Sequence, residues 1–255
     1  MPDLVILRHG RSQWNELNLF TGWHDVDLAP EGEKEATAAG ELLRETPGLD
    51  LRILHTSVLT RSIRTAEIAL HAAGRSWLPV KREWRLNERH YGDLTGKDKK
   101  ATSKEFGEDQ VKIWRRSYDV PPPSLPDDSK YRSNFDPRYR DVAASDIPST
   151  ESLKDVHARI IPYFETTLAP DLRREGERGG AVIVVAHGNS LRALTMLLKM
   201  MSPDEVTKLE IPTGIPFRYR LDESLRVIEG GPLGDAAAAA KAAEDVARQA
   251  DGSAH

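Results

Sequence analysis

The chain has 255 residues, 30% of them charged, with a formal net charge of −4 at pH 7 and no cysteine. A mildly acidic balance speaks against a polyanion binder, whose domains usually carry a strong basic excess, so no nucleic-acid partner is expected. The lack of thiols excludes disulfides and thiolate zinc sites, and the length allows a single α/β unit with an ample core.

The first element is Asp3-Leu4-Val5-Ile6-Leu7-Arg8-His9-Gly10-Arg11-Ser12, where an apolar run stops at arginine, histidine and glycine. Four apolar residues bounded by polar ones are too few for a helix, so Leu4 to Leu7 reads as a short buried strand. In an open α/β sheet ligands bind at the carboxyl ends of the strands, which is where His9 falls. A polar loop follows, Ser12 to Leu28, carrying Trp14, Asn15, Phe20, Thr21, Gly22, Trp23 and His24. Pro30 suits the first turn of a helix in which Ala36, Ala39 and Leu43 form an apolar stripe, and Gly48 ends the unit. Leu51 to Thr56 reads as a second strand. Ser57 is placed to cap the next helix, lined by Leu59, Ile63, Ala66 and Leu70, with Arg61 in its first turns. Strand and helix alternating at this spacing predict right-handed parallel crossovers.

From about 84 to 148 the alternation breaks down. Asn87-Glu88-Arg89-His90-Tyr91-Gly92 is followed by a lysine cluster, Trp114-Arg115-Arg116, Pro121-Pro122-Pro123 and a polar stretch through Asp136-Pro137-Arg138. An irregular insertion this long is a functional lid or a linker, and its scattered aromatic residues favour an ordered lid. Regularity returns with a helix over Glu151 to Leu168, which Pro162 is expected to kink or end. Ala181-Val182-Ile183-Val184-Val185-Ala186-His187-Gly188-Asn189-Ser190 then repeats the opening pattern and leads into a helix with Leu191, Leu194, Leu198 and Met201 on one face. Phe217, Tyr219 and Leu221 alternate with Arg218, Arg220 and Asp222, the mark of a strand with one wet face. The tail from Asp235 reads as a terminal helix or a frayed extension. The expected fold is a single three-layer α/β domain. It has a mostly parallel central sheet with one antiparallel edge strand, helices on both faces, and a lid-like insertion. The longest apolar run, Ala181 to Ala186, is far below the ~20 residues of a membrane span, and the N-terminus lacks signal-peptide features. A soluble, cytoplasmic protein with no membrane partner is expected.

Two strands each ending in His-Gly bring two imidazoles to one sheet edge. A neutral imidazole is a competent nucleophile, and adjacent cations depress its pKa and keep the lone pair free. Arg8 adds a planar, permanently charged fork matched to phosphate oxygens, and Gly10 leaves room for a bulky anion near backbone. His187-Gly188-Asn189-Ser190 precedes a helix start, where free N–H groups and the positive dipole end favour an anion. Two histidines and several arginines at one edge describe a phosphoryl site, where catalysis is mainly positioning and charge stabilisation. A metal held by two histidines and Glu88 is the rival. Against it, no His-Glu-x-x-His helix or Asp-rich loop is present, and crowding arginines repel a divalent cation.

Leu7-Arg8-His9-Gly10 with the distant Ala186-His187-Gly188 resembles the histidine phosphatase superfamily. Six further blocks narrow the likeness to the 2,3-bisphosphoglycerate-dependent phosphoglycerate mutases. They are Ser12-Gln13-Trp14-Asn15, Phe20-Thr21-Gly22-Trp23, Thr56-Ser57-Val58-Leu59, Leu86 to Gly92, Trp114-Arg115-Arg116 and Ile211-Pro212-Thr213-Gly214. They occur in order from Leu4 to about Gly231, and together they are far more specific than Arg-His-Gly alone. The resemblance implies that His9 is the phosphorylated nucleophile, Glu88 the proton donor and acceptor, and His187 a stabiliser of the transferring phosphoryl with Arg8 and Arg61. It implies phosphate or substrate contacts from Gly10, Ser12, Asn15, Thr21, Gly22, Gly188 and Asn189. Arg89, His90, Tyr91, Lys99, Arg115 and Arg116 would bind substrate from the lid side. It further implies priming by 2,3-bisphosphoglycerate, phosphoglycerate substrates, no metal, and a homodimer or homotetramer. Residues 1–231 read as the catalytic domain, with the insertion over about 84–148, and 232–255 as an alanine-rich tail.

Arg11 departs from the family, which usually has an acidic residue there. Trp14 and Trp23 read as packing residues, and His24, His55, His71, His157 and His255 as structural or surface histidines. A phosphomonoester phosphatase or bisphosphoglycerate mutase/phosphatase on the same scaffold, and a catalytically silent phospholigand-binding module, are the alternative functions. The long cationic insertion favours the mutase over the first, and the presence of His9, Glu88 and His187 speaks against the second.

Overall fold

The computed structural model describes residues 1–251, so His255 lies outside the described residues. In chain order, β1 (Asp3–Arg8) is followed by a single turn, α1 (Gln13–Glu16), and by α2 (Pro30–Glu45) with proline in its first turn. β2 (Leu51–Thr56), α3 (Thr60–Ala72) and β3 (Val80–Arg82) complete the first half. The insertion carries α4 (Lys99–Phe106) and α5 (Glu108–Arg116). Then come α6 (Leu153–Tyr163), α7 (Ala169–Glu177), β4 (Ala181–Ala186), α8 (Gly188–Lys199) and α9 (Pro203–Lys208). The chain continues through β5 (Pro216–Leu221), β6 (Val227–Pro232) and α10 (Ala236–Asp251).

Among the described residues six strands form one sheet in the order β3-β2-β4-β1-β5-β6. The first four are parallel; β5 runs antiparallel to β1, and β6 antiparallel to β5. Period-two alternation divides the sheet's side chains between two cores. Leu4, Ile6, Ile53, Val182 and Val184 pack with Val156, Ile160, Leu172, Leu191 and Leu194, so α6, α7 and α8 cover one face. Val5, Leu7, Leu54, Ile183 and Val185 pack with Ala39, Leu43, Ala66 and Leu70, so α2 and α3 cover the other. Fully burying an aliphatic side chain of this kind is worth roughly 1.5–3 kcal/mol. Small residues let α2 approach α3 closely: a Cβ on Gly40 would lie 2.2 Å from the Ala69 carbonyl oxygen.

The register positions the chemistry. Arg8 pairs with Ala186, and His9 N donates to Ala186 O at 3.0 Å, so the residues that follow the paired strand ends, His9 and His187, leave the sheet side by side. The helix after β1 lies on one face and the helix after β4 on the other. The crevice therefore opens between these two strands, the topological switch point where α/β sheets bind ligands.

Several local expectations change. Ser57 does not cap α3, which begins after Leu59; its Oγ accepts from Leu59 N at 3.2 Å and meets His187 instead. Pro162 does not end its helix. The chain passes through one π-helical turn, Phe164–Leu168, and continues as α7, with Thr166 Oγ1 donating to the Pro162 carbonyl at 2.7 Å. Pro170, in the first turn of α7, lacks the donor that would bond the Thr166 carbonyl, so the wider turn falls where that helical bond is lost. Met201 falls beyond α8, where Met200 adopts a left-handed conformation (φ 53°), although Met201 still packs on the adjoining core. A strand absent from the sequence reading, β6, flanks β5; its Gly-Gly-Pro end gives little strand signal. The insertion contains two helices, anchored by a small core of Phe20, Leu94 and Val111 with Tyr91 and Trp114 against it.

Candidate active site

His9 is 3% exposed at the end of β1. Its Nδ1 lies 2.7 Å from the Gly10 carbonyl, which can only accept, so Nδ1 carries the proton and Nε2 keeps its lone pair. Burial, then the charges of Arg61 and Arg8, push its pKa well below the ordinary value. Gly10 does not meet the cavity. A Cβ there would lie 2.2 Å from the Gly32 carbonyl oxygen, so glycine serves the close approach of this loop to α2, and its N–H donates to Thr65 Oγ1 at 3.0 Å. His187 is completely buried, with ring centroids 4.9 Å from His9, and its Nε2 lies 2.8 Å from Ser57 Oγ. Burial, Arg61 and His9 push its pKa down too.

Arg61 is 1% exposed; burial pulls its pKa down to about 10, and its two terminal nitrogens donate to the carbonyls of His24 and Gly22. Arg8 donates through Nη1 to Ile211 O at 2.8 Å, and its buried Nε has no hydrogen-bond partner among the described residues. Glu88 Oε1 accepts from Arg89 N (2.7 Å) and from Asn189 N (3.1 Å) in the first turn of α8. The backbone behind Glu88 is clamped. Its carbonyl accepts from Trp23 Nε1 and from Arg159 Nη2, while Arg159 also bonds the carbonyls of Arg85 and Asn87. Arg159 pairs with Glu151 at 2.6 Å, and Glu151 accepts from His90 N at 2.8 Å.

A cleft partly open to solvent joins the His9 end of the sheet to the lid. Its walls include Arg8, His9, Asn15, Thr21, Gly22, Arg61, Glu88, Tyr91, Lys99, Arg115, Arg116, Gly188 and Asn189, all named from the sequence. Burial, with Arg115 and Arg8 nearby, lowers Lys99 to about 7. Burial would raise the Tyr91 phenol, but Arg89 and Arg115 outweigh it and hold the pKa below its usual value. Arg116 pairs with Glu210.

Five residues expected to touch substrate or the transferring phosphoryl group do not line the cleft, among them His187, which is completely buried. Besides Gly10, Ser12 is fully buried as the cap of α1, exchanging hydrogen bonds with Asn15. Arg89 lies under Tyr91, its guanidinium 4.8 Å from that ring and bonded to Arg115 O. His90 accepts from Gly92 N at 3.0 Å and packs against Trp23; burial, Arg159 and Arg132 lower it to about 3. Conversely, Arg192, Glu210, Leu19, Phe20 and Ile211 line the cleft without having been named as binding residues. Arg192, 6% exposed and bonded to the carbonyls of Val206 and Thr207 and to Asn189 Oδ1, had a sequence signal. It is a lone charge within the apolar run from Leu191 to Leu198. Arg11 is exposed, and its N–H donates to Glu35 Oε2 at 2.8 Å, away from the His9 cleft. Among the described residues no group of three or more His, Cys, Asp or Glu is arranged to hold a metal ion.

A family model described as histidine phosphatase superfamily (branch 1) matches residues 4–228. A relative from Clavibacter sepedonicus named 2,3-bisphosphoglycerate-dependent phosphoglycerate mutase is 54% identical over 247 residues, 96% of each chain. One of the same name from Nitratidesulfovibrio vulgaris (strain DSM 19637 / Miyazaki F) is 53% identical, covering 98% of each. In three dimensions the chain is similar to a mycobacterial glucosyl-3-phosphoglycerate phosphatase at TM-score 0.67 and 23% identity, covering 91% of this chain and 97% of that one. It is also similar to an α-ribazole phosphatase from Shigella flexneri at TM-score 0.63 and 19% identity, covering 89% and 94%. At those identities the likeness concerns the fold alone.

Proposed function

The chain belongs to the histidine phosphatase superfamily (branch 1), and from that membership we propose a 2,3-bisphosphoglycerate-dependent phosphoglycerate mutase that interconverts 3-phosphoglycerate and 2-phosphoglycerate. Neutral His9 Nε2 attacks a phosphorus of the bisphosphate. The bond from that phosphorus to the glycerate oxygen breaks, and protonated Glu88 gives the departing oxygen its proton. In the return step the Glu88 carboxylate takes the proton of a substrate hydroxyl as its oxygen attacks phosphohistidine, and His9 leaves as neutral imidazole. Arg8, Arg61 and His187 offset the charge on the transferring oxygens. Asn15, Thr21, Gly22, Gly188 and Asn189 orient the substrate.

The observation that carries this reading is a second set of cations in the same cleft. Lys99, Arg115, Arg116 and Arg192 line it together with Arg8 and Arg61. A phosphatase needs to hold one anionic group and admit water. A mutase must hold an intermediate with two phosphoryl groups while it reorients, and exclude water meanwhile. A lid built from α4 and α5 serves that need.

Residues 1–231 form the catalytic unit in this proposal, with 232–255 as an appendage; the protein works in the cytoplasm as a homodimer or homotetramer. Among the described residues no helix is long and apolar enough to cross a membrane. Isomerisation of 3-phosphoglycerate should depend on 2,3-bisphosphoglycerate and persist in excess chelator. Phosphate release outpacing isomerisation would overturn the mutase reading, and loss of activity in chelator would overturn its metal independence. Sedimentation equilibrium tests the oligomer.

A further inference from the structure

Ser57 sits in the turn between β2 and α3 and is completely buried. The turn is fixed to its neighbour strand, because Thr56 Oγ1 meets Ser62 Oγ at 2.9 Å and Ser62 Oγ donates to Val185 O at 2.7 Å. Ser57 Oγ accepts the Leu59 N–H at 3.2 Å and lies 2.8 Å from His187 Nε2. His187 Nδ1 is buried with no hydrogen-bond partner among the described residues. Burial and the surrounding cations keep this imidazole neutral, so it carries a single N–H.

Where that proton sits decides what His187 can do. With the proton on Nε2, Ser57 would receive two donors, and its own proton would have no acceptor among these contacts. With the proton on Nδ1, Ser57 is fully matched: Leu59 N–H donates to it, its hydroxyl donates to Nε2, and Nδ1–H remains as a donor beside His9.

We propose that Ser57 is a positioning residue that locks His187 in the Nδ1–H tautomer, so that its free N–H is aimed for an oxygen of the transferring phosphoryl group. The role of that N–H rests on the phosphoryl transfer proposed above; the tautomer itself does not. A long-range ¹H–¹⁵N correlation spectrum of ¹⁵N-histidine-labelled, ligand-free protein at pH 8 reads the tautomer directly. Wild type should show His187 protonated on Nδ1, and Ser57→Ala should shift it toward Nε2–H. In the isomerase assay Ser57→Ala should lower kcat about 10- to 100-fold, somewhat less than loss of a whole oxyanion donor, with KM changed less than about threefold. Ser57→Thr, which keeps the hydroxyl, should restore most of kcat. Wild-type His187 protonated on Nε2, or a Ser57→Ala variant with unchanged tautomer and unchanged kcat, would overturn the proposal. A protein with the expected tautomer but no isomerase activity would refute the mutase reading and leave the tautomer assignment standing.

Discussion

Two regions of the same sheet bury histidines in opposite electrostatic settings. On β2, His55 Nδ1 lies 2.6 Å from Tyr163 Oη, and Nε2 lies 3.1 Å from Asp171 Oδ2. Lys81 and Arg174 meet the same carboxylate at 2.6 and 2.7 Å, so this cluster neutralises itself. Burial lowers His55 to about 4, with Asp171 opposing it. At the ends of β1 and β4, His9 and His187 stand among arginines, and Arg8 Nε and His187 Nδ1 lack partners among the described residues. Buried histidine alone therefore marks nothing. Arginines around it that bond only backbone carbonyls mark the place where an anion completes the structure.

Substitutions sharpen that contrast. Glu88→Gln should cut kcat roughly 10²–10⁴-fold, the usual worth of a positioned acid–base group, with the fold intact by circular dichroism. Near-normal turnover would reject the role. Arg159→Met leaves Glu151 buried and uncompensated and frees the loop behind Glu88, so urea unfolding should register a loss of about 3–5 kcal/mol, accompanied by a fall in kcat. Asp171→Asn breaks the self-neutralised cluster instead. It should cost about 1–3 kcal/mol of stability and leave kcat/KM within about twofold, because nothing there meets substrate. A large loss of kcat/KM in a folded Asp171→Asn protein would erase the distinction between the two regions. The smallest effect concerns Lys99. With a pKa lowered to about 7 it is mostly charged at pH 6 and mostly neutral at pH 8. Its contribution to kcat/KM should thus fall up to about tenfold across that range, and Lys99→Arg should flatten the profile. His9, held well below its ordinary pKa, should keep its lone pair throughout that window.

The sheet and its edge were legible because their signals are strong. Leu51 to Thr56 and Ala181 to Ala186 are strands at the expected bounds; for the second, a short apolar run between polar residues leaves little choice. The lid helices were not. In Lys99–Phe106 only Thr102 is buried, and in Glu108–Arg116 only Val111. The first offers no apolar stripe, although Asp98 Oδ1 caps it by accepting from Ala101 N, and the second only the short pair Val111 and Trp114. Motif blocks located the site but not each contact. Glu88 and Tyr91 reach the cleft while Arg89 and His90 between them turn into the support beneath it. A block identifies a stretch of backbone, and side-chain direction within it depends on local turns that short motifs do not encode. Arg192 escaped for the opposite reason: it stands in a helix read only for its apolar face.

The most direct test is to follow the phosphoryl group. Protein incubated with 2,3-bisphosphoglycerate carrying ³²P, quenched in base and mapped by peptide should bear an acid-labile, base-stable label on His9, and His9→Ala should carry none. Label retained in His9→Ala, or found on another residue of the wild type, would contradict the assignment of the nucleophile and with it the chemistry of the cleft.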